Sequence, residues 1–396
     1  MKNRDPVTRS STMMDLFRDE RFQRVLGQVL FVIFIAGGIY YLVNNMQANM
    51  DRQGLALNFS FFQSTAGFDI GEHLISYSRT STFARAFLVG ALNTLLVSAL
   101  GILFSTILGV IFGVARLSSN YLVRKIAQVY IEFLRNIPLL VLLIFLYIGV
   151  VIQFPQVREA IVLPGPVYLS NRGVVVPRLM PAAGFQSYLW VLAVALVCSA
   201  ALGAWLKYRS RHTGRAPLTF LWGALAFIAI AGIGWSLMPA PPLAVERPEL
   251  QGLRFVGGVQ SSPEFLGLLF GLTIYTSAFI ADVVRAGIQS VSLGQLEAAR
   301  SLGLSSFLTL RLIIFPQALR VIIPPLTSQY LNLLKNSSLA VAIGYPELFH
   351  VSGTILNQSG RTVEVIVVVM ATYLAISLAT SAFMNWYNQR VRLVER

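Results

Sequence analysis

Runs of about 20 apolar residues recur along this chain, and they limit its fold more than anything else in it. A hydrocarbon core of about 30 Å is crossed by about 20 helical residues, and within it only helices and closed barrels satisfy every backbone polar group. The pattern predicts eight spans, at 25–43, 86–115, 127–152, 188–206, 218–237, 264–284, 321–346 and 363–387. Charged residues are 12% of the sequence, about half the share in soluble domains. The expected fold is all-α, a polytopic membrane helical bundle.

The formal net charge is +14, which on a soluble protein would point to nucleic acid. Here the basic residues fall mainly on alternate loops, so the positive-inside rule accounts for them. Lys2, Arg4, Arg9, Arg18, Arg21 and Arg24 precede the first span. Arg116, Arg124 and Lys125 share their side, as do Lys207, Arg209, Arg211 and Arg215, then Arg285, Arg300, Arg311 and Arg320, and finally Arg390, Arg392 and Arg396. Both termini are therefore expected in the cytosol. The N-terminal tail is long for a signal peptide and no small-residue cleavage site follows it, which favours an uncleaved anchor. Cys198 is the single cysteine, excluding an intrachain disulfide. Its apolar surroundings make a small packed side chain the expectation.

Packing signals are local. Gly101, Ser105, Gly109 and Gly113 put a small residue at every fourth position of the second span, and Gly267 and Gly271 do the same on the sixth. Such stripes let helices approach closely. The pair at 188–237 is poor in polar residues, rich in Ala, Leu and Gly, and joined by the basic KYRSRHTGR. It reads as an insertion facing lipid or a neighbour. The segment 44–85 mixes aromatic and polar residues, as an interfacial segment would. The outer segments 153–187 and 238–263 are rich in Pro and Gly and are expected to be irregular.

Between Asp282 and Arg320 lies a polar, basic island, DVVRAGIQSVSLGQLEAARSLGLSSFLTLRLIIFPQALR. Ser292 and Gln295 are spaced for a capping box. Gln295, Glu297, Ala298, Ala299 and Arg300 belong to a short run of mostly good helix formers, and Gly303 is suited to a left-handed stop. Ser305 or Ser306 is placed to cap a second helix, which Pro316 is expected to limit. Leu293, Leu296 and Ala299 form an apolar ridge flanked by Glu297 and Arg300, fit for a groove on a soluble partner.

The E-A-A-x3-G-x9-I-x-x-P spacing of this island, from Glu297 through Gly303 and Ile313 to Pro316, resembles the cytosolic loop of ATP-binding-cassette importer permeases. Phe315 stands where that family usually has Leu. Further blocks resemble its polar amino-acid branch: Gly90-Ala-Leu-Asn93-Thr94-Leu, Arg135-Asn-Ile-Pro138-Leu-Leu, Asp282-Val-Val-Arg285-Ala-Gly-Ile and Lys335-Asn336-Ser337-Ser338-Leu. Typical members have five spans. An added first helix and an inserted pair make eight, a layout similar to the larger subunits of general L-amino-acid permeases. The resemblance implies a type I importer core at 86–387, interrupted by an insertion at 153–263 and carrying a coupling loop at 286–320. A cytosolic tail at 1–24, an extra helix with a periplasmic segment at 25–85 and a second tail at 388–396 flank it. It also implies an ATPase dimer docked on Glu297 and its neighbours, a second homologous permease subunit, a periplasmic substrate-binding protein, an amino-acid substrate and the bacterial inner membrane with its lipid.

No G-x-x-x-x-G-K-[ST] occurs, so ATP and Mg are expected on a partner. No metal or nucleophile pattern marks a catalytic residue, and His73, His212 and His350 are scattered. Lys335 is the informative polar residue, for a mid-span charge normally faces a cavity or a partner. With Asn336, Ser337 and Ser338 it makes the most polar patch in any span. It is either a transport-path element or half of a structural ion pair with Glu347, Asp282 or a second subunit. Asn93 and Thr94 are weaker path candidates and fit interhelical hydrogen bonding. Glu132, Arg135 and Asp282, near the cytosolic face, fit an anchoring salt bridge. Two other classes stay open: an ion-coupled secondary transporter, which would need inverted repeats and coupling carboxylates, and a non-conducting structural subunit.

Overall fold

The computed structural model describes residues 20–52, 57–213 and 219–391. Lys2, Arg4, Arg9, Arg18, Arg215, Arg392 and Arg396, used above for orientation, lie outside the described residues, as does the side chain of His212. The chain divides into residues 1–61 and 62–396, each considered by itself. The first unit holds α1 (Glu20–Arg52), whose most apolar stretch is wholly unburied.

In the second unit, α2 (Phe83–Ala115) is followed by α3 (Tyr121–Arg135) and α4 (Leu139–Ile144), which continues as a π-helix over Phe145–Val151. The expected single span at 127–152 is thus two helices meeting at 107°. Pro138 lacks the N–H that a continuous helix needs. Asn136 Nδ2 donates to the Glu132 carbonyl at 2.7 Å, satisfying a backbone group that the break exposes.

The outer segments are not irregular. Strands β1 (Ile161–Leu163), β2 (Val167–Ser170), β3 (Gly173–Val176) and β4 (Arg178–Pro181) precede α5 (Phe185–Thr213) and α6 (Thr219–Ser236). Strands β5 (Leu243–Glu246), β6 (Glu249–Gln251), β7 (Arg254–Val256) and β8 (Val259–Ser261) follow. One sheet runs β1-β2-β3-β8, and β4-β5 and β6-β7 form ribbons, all antiparallel. Val176 pairs with Val259 and Arg178 with Glu246, so the inserted hairpin α5–α6 leaves the sheet on a two-stranded stalk. Val157, Val175 and Phe255 fill the small core beneath.

The transmembrane core is built on α7 (Pro263–Gln289). Of its most apolar stretch 67% is buried, against 6% for α5. A Cβ on Gly109 would lie 2.6 Å from Ile280 Cβ, and one on Gly113 2.8 Å from the Ala281 carbonyl oxygen. Gly109 and Gly113 therefore seat α2 against α7, running parallel, whereas Gly101 faces Leu333. Gly267 and Gly271 receive Tyr147 and Leu143 in the same way.

After α7 come α8 (Leu293–Ser301), α9 (Ser306–Thr309) and α10 (Phe315–Asn336). Pro316 does not limit a helix as expected. The helical run continues through it from Ser306 to Ala342, and a π-turn over Leu310–Ile314 directly precedes the proline, the kind of local rewinding that accompanies a lost i→i−4 bond. A 3₁₀ segment (Ser337–Ala342), α11 (Leu348–Ser359) and α12 (Thr362–Val391) complete the chain. Among the described residues six helices are long and apolar enough to cross a membrane; the bent pair and Leu221–Ser236 account for the other two apolar elements. Cys198, expected to be packed, is exposed on α5, which has few neighbours in this chain.

Candidate functional site

Helix α8 sits on the junction of α7 and α10. Ala299 is buried, and Leu296 packs against the cluster of Ile280, Val284, Val291, Ala318 and Ile322. This corrects the sequence expectation, because two of the three ridge residues face the chain's own bundle. The most exposed apolar side chains of the loop are Leu293, Leu302 and Phe307, and Leu308, Leu310, Leu312 and Phe315 are exposed as well. Gln295, Glu297, Ala298 and Arg300 are exposed as well, and neither Glu297 nor Arg300 forms an ion pair among the described residues.

The capping box is not formed: Ser292 occupies the N-cap position without a side-chain bond. Gly303 is left-handed, at φ 71°, and turns the chain so that the Leu304 N–H donates to the Ala299 carbonyl at 3.1 Å. Ser305 then caps α9 by accepting from the Leu308 N–H.

Beside this seat, two sequence blocks close on each other. Arg135 donates to Asp282, whose other oxygen accepts from Arg285 Nε at 3.4 Å, and Arg285 reaches Gln289 at 3.1 Å. The Arg135 guanidinium also lies over the Phe279 ring, 5.5 Å from its centroid. Arg116 pairs with Glu132 at 3.4 Å, tying α2 to α3. These carboxylates anchor helix ends, as the sequence indicated.

One turn along α7 from Asp282, a cavity of about 290 Å³ is lined by Tyr275, Thr276 and Phe279 and, across it, by Gln329, Asn332 and Asn336 of α10. Asn336 is thus brought to a polar cavity. Lys335 does not line it; its side chain is exposed at the last turn of α10, where a cation suits the helix dipole. Neither carboxylate considered as its partner takes it, since Asp282 binds two arginines and Glu347 is engaged elsewhere. Ser337 is buried and bonds the Leu334 carbonyl, and Ser338 bonds that of Lys335. Sequence reading missed Gln329 and Asn332. Their spacing with Asn336, three and then four residues apart, is a helical stripe of amides and was the available signal.

Asn93 and Thr94 lie apart from the cavity, in a buried node near the other end of α2. Asn93 Nδ2 donates to the carbonyls of Glu72 (2.8 Å) and Pro346 (2.9 Å). Thr94 Oγ1 accepts from the Leu348 N–H at 3.0 Å. Glu347, fully buried, caps α11 through the N–H groups of Phe349 and His350 and accepts from Tyr373 at 2.8 Å. Glu72 holds Ser262, the N-cap of α7, through both its N–H (3.0 Å) and its hydroxyl (2.9 Å). Burial pushes the Glu72 carboxyl above the usual glutamate range, against the lowering effect of those bonds. No group of three or more His, Cys, Asp or Glu placed to hold a metal occurs among the described residues.

The geometry amounts to an exposed helix, a seat shared by two core helices, and a polar cavity one turn beyond. Residues 101–393 match the family described as "Binding-protein-dependent transport system inner membrane component". The chain is 43% identical, over 96% of its length and 94% of the relative's, to the general L-amino acid transport system permease protein AapQ of Rhizobium johnstonii. It is 45% identical, over 94% of both chains, to the putative amino-acid ABC transporter permease protein YhdX of Escherichia coli. To the glutamate/glutamine/aspartate/asparagine transport system permease protein BztB of Rhodobacter capsulatus it is 41% identical over 99% of both.

Proposed function

The chain belongs to the binding-protein-dependent transport system inner membrane components, and on that premise we propose that it forms part of the translocation path of an ATP-driven amino-acid importer and couples to a separate ATPase through α8. The family is one of permeases, a non-enzymatic class of subunit. In this reading ATP and Mg stay on the ATPase dimer. A second homologous permease completes the path, and a periplasmic binding protein delivers the substrate. Both termini and the 286–320 loop face the cytosol, as the loop charges require.

The observation that carries the proposal is the seating of α8. Its outer face presents Gln295, Glu297, Ala298 and Arg300, while Ala299 is buried and Leu296 packs against the cluster that α7 and α10 share with Val291. A displacement of α8 acts on α7 and α10 together, and those two helices wall the polar cavity. A rigid seat linking a docking surface to a cavity between two helices is what a two-state bundle driven from outside needs. Gly303 provides the sharp turn that holds α8 in place, and Pro316 opens α10 directly after the π-turn.

The substrate is read as an L-amino acid, in keeping with the names of the relatives. Asn336 with Gln329 and Asn332 offers amide donors and acceptors suited to carboxylate and ammonium groups, and exposed Lys335 adds a cation facing a partner or the path. An ion-coupled carrier would enlist Glu347 as its buried carboxylate. That carboxylate already caps a helix through two backbone N–H groups, which favours the structural role.

The test is Glu297→Lys in the assembled complex in proteoliposomes. ATP-dependent uptake of a radiolabelled L-amino acid should fall at least ~10-fold, equivalent to about 1.4 kcal/mol. Uptake at the wild-type rate would overturn the coupling role. Uptake driven by a proton gradient without ATP would favour the ion-coupled reading.

A further inference from the structure

Four of the chain's five tryptophans lie on the inserted hairpin, and all four are exposed. Trp190 and Trp235 sit at the stalk end, Trp205 and Trp222 at the connector end. Tryptophan collects at both membrane–water interfaces, so this arrangement marks a hairpin standing in lipid along its length.

The two helices meet at one end and part at the other. Near the stalk Tyr188 donates to the Ala231 carbonyl at 3.0 Å and packs edge-to-face on Trp235. A Cβ on Gly223 would find the Ser199 carbonyl oxygen at 3.6 Å, whereas one on Gly203, one turn nearer the connector, would find nothing within 4 Å among the described residues. Between the parted helices lies a groove of about 600 Å³, lined by Ser199, Ala200 and Gly203 of α5 and Thr219, Gly223 and Phe227 of α6 among others. Its walls are apolar except for two hydroxyls. One turn beyond Gly203, on the same face, stands exposed Lys207, while Arg209 lies over the Trp205 ring on the far side of α5, 5.4 Å from its centroid.

We propose that this groove is a binding site for an anionic phospholipid, with an acyl chain lying along α5 and α6 and the headgroup held by Lys207. Two observations favour a lipid over a protein helix. The groove ends at a basic rim, and basic side chains at a membrane surface attract anionic headgroups. Trp205 and Trp222 set that rim at headgroup depth, where their amphipathic rings belong. A lysine one turn past the apolar wall is also placed to snorkel toward a phosphate while its stem covers the groove mouth. Ligated in this way, the hairpin would carry a lipid along with the transporter at a site remote from the polar cavity and from α8.

The test uses the complete complex, purified from nanodiscs holding phosphatidylglycerol and phosphatidylethanolamine in equal amounts and examined by native mass spectrometry. The wild type should retain phosphatidylglycerol over phosphatidylethanolamine by about fivefold, as one basic side chain acting on an anionic headgroup implies. Lys207→Ala should bring that ratio to parity, and Arg209→Ala, on the far side of α5, should leave it unchanged. Gly203→Leu, which fills the groove from a position with open space around it, should cut retention of both lipids. A photoreactive side chain at Phe227, in an otherwise unchanged chain, should yield a lipid adduct, so the proposal stays open to refutation even if a groove variant fails to assemble. Equal retention by all variants would overturn it. So would loss on charge removal with none on Gly203→Leu, which would leave only surface attraction. A protein adduct at Phe227 would also overturn it, placing a second copy, another subunit or α1 in the groove.

Discussion

Helices α7 and α5 are both long and apolar enough to cross a membrane, and α5 is the more apolar, with a mean hydropathy of 2.2 over its most apolar stretch against 1.7 for α7. Yet 67% of the α7 stretch is buried and only 6% of the α5 stretch. In water the ranking would be reversed. In a bilayer the lipid tails are as apolar as leucine, so apolarity gives a helix no reason to leave them. Burial follows the features that lipid cannot match. On α7 these are glycines that admit α4, a face that meets the glycines of α2, and Asp282 shared by two arginines. Helix α5 has one such contact, Val191 against Gly234 of α6 near the stalk. It presents tryptophans and open grooves, which suit lipid.

The contrast is broken most severely at the α2–α7 contact. Gly109→Val places a Cβ 2.6 Å from Ile280 Cβ. Overpacking of this kind costs about 1–3 kcal/mol, and backbone contact at the upper end of that range should prevent recovery of the assembled complex by size-exclusion chromatography. Gly203→Val on α5 should shift stability by no more than about 0.5 kcal/mol, apart from the propensity cost of a β-branched residue. Equal effects at the two sites would show that tight packing does not separate the helices.

Next in size is the ion-pair anchor. Asp282→Ala leaves Arg135 and Arg285 facing each other without their carboxylate. Allowing for partial exposure and screening, the expected loss is about 1–2 kcal/mol, read as a lower thermal midpoint of the detergent-solubilised complex. Double substitution with Arg135→Ala should recover part of it. If no recovery occurs, the two residues do not act as a pair.

The smallest expected effect is at Glu72, outside the spans. Its carboxyl is raised by burial, so the folded state prefers the neutral form. The stabilising contribution is therefore complete below the ordinary glutamate range and is lost as pH rises through the raised value. Glu72→Gln, neutral at every pH, should flatten the dependence of the thermal midpoint on pH above the ordinary glutamate range. An unchanged slope would mean that other groups set it.

The eight apolar elements, the close approach at Gly101–Gly113 and the turn at Gly303 were legible because each depends on local residue type and helical spacing. What escaped depends on distant partners. The strands β3 and β8 are three or four residues long and pair across more than 80 positions of chain, too short for a period to register. The break at Pro138 was masked by apolar residues that continue on either side of it. The ridge Leu293–Leu296–Ala299 was assigned to a partner because sequence shows an apolar face without showing which neighbour claims it; Leu296 packs against the chain's own cluster and Ala299 is buried, leaving Leu293 exposed. Gln329 and Asn332 drew no notice beside Lys335, since a lone amide in an apolar run is ordinary until a facing helix makes it one wall of a cavity.

The central claim is that α8 transmits motion to the cavity between α7 and α10. It is tested most directly by the rate at which a small thiol reagent modifies Asn332→Cys, in a Cys198→Ser background, in the assembled complex with and without ATP. The expected result is a nucleotide-dependent change in rate that disappears when Glu297→Lys is added. A change that persists with Glu297→Lys, or a rate that never responds to ATP, would contradict it.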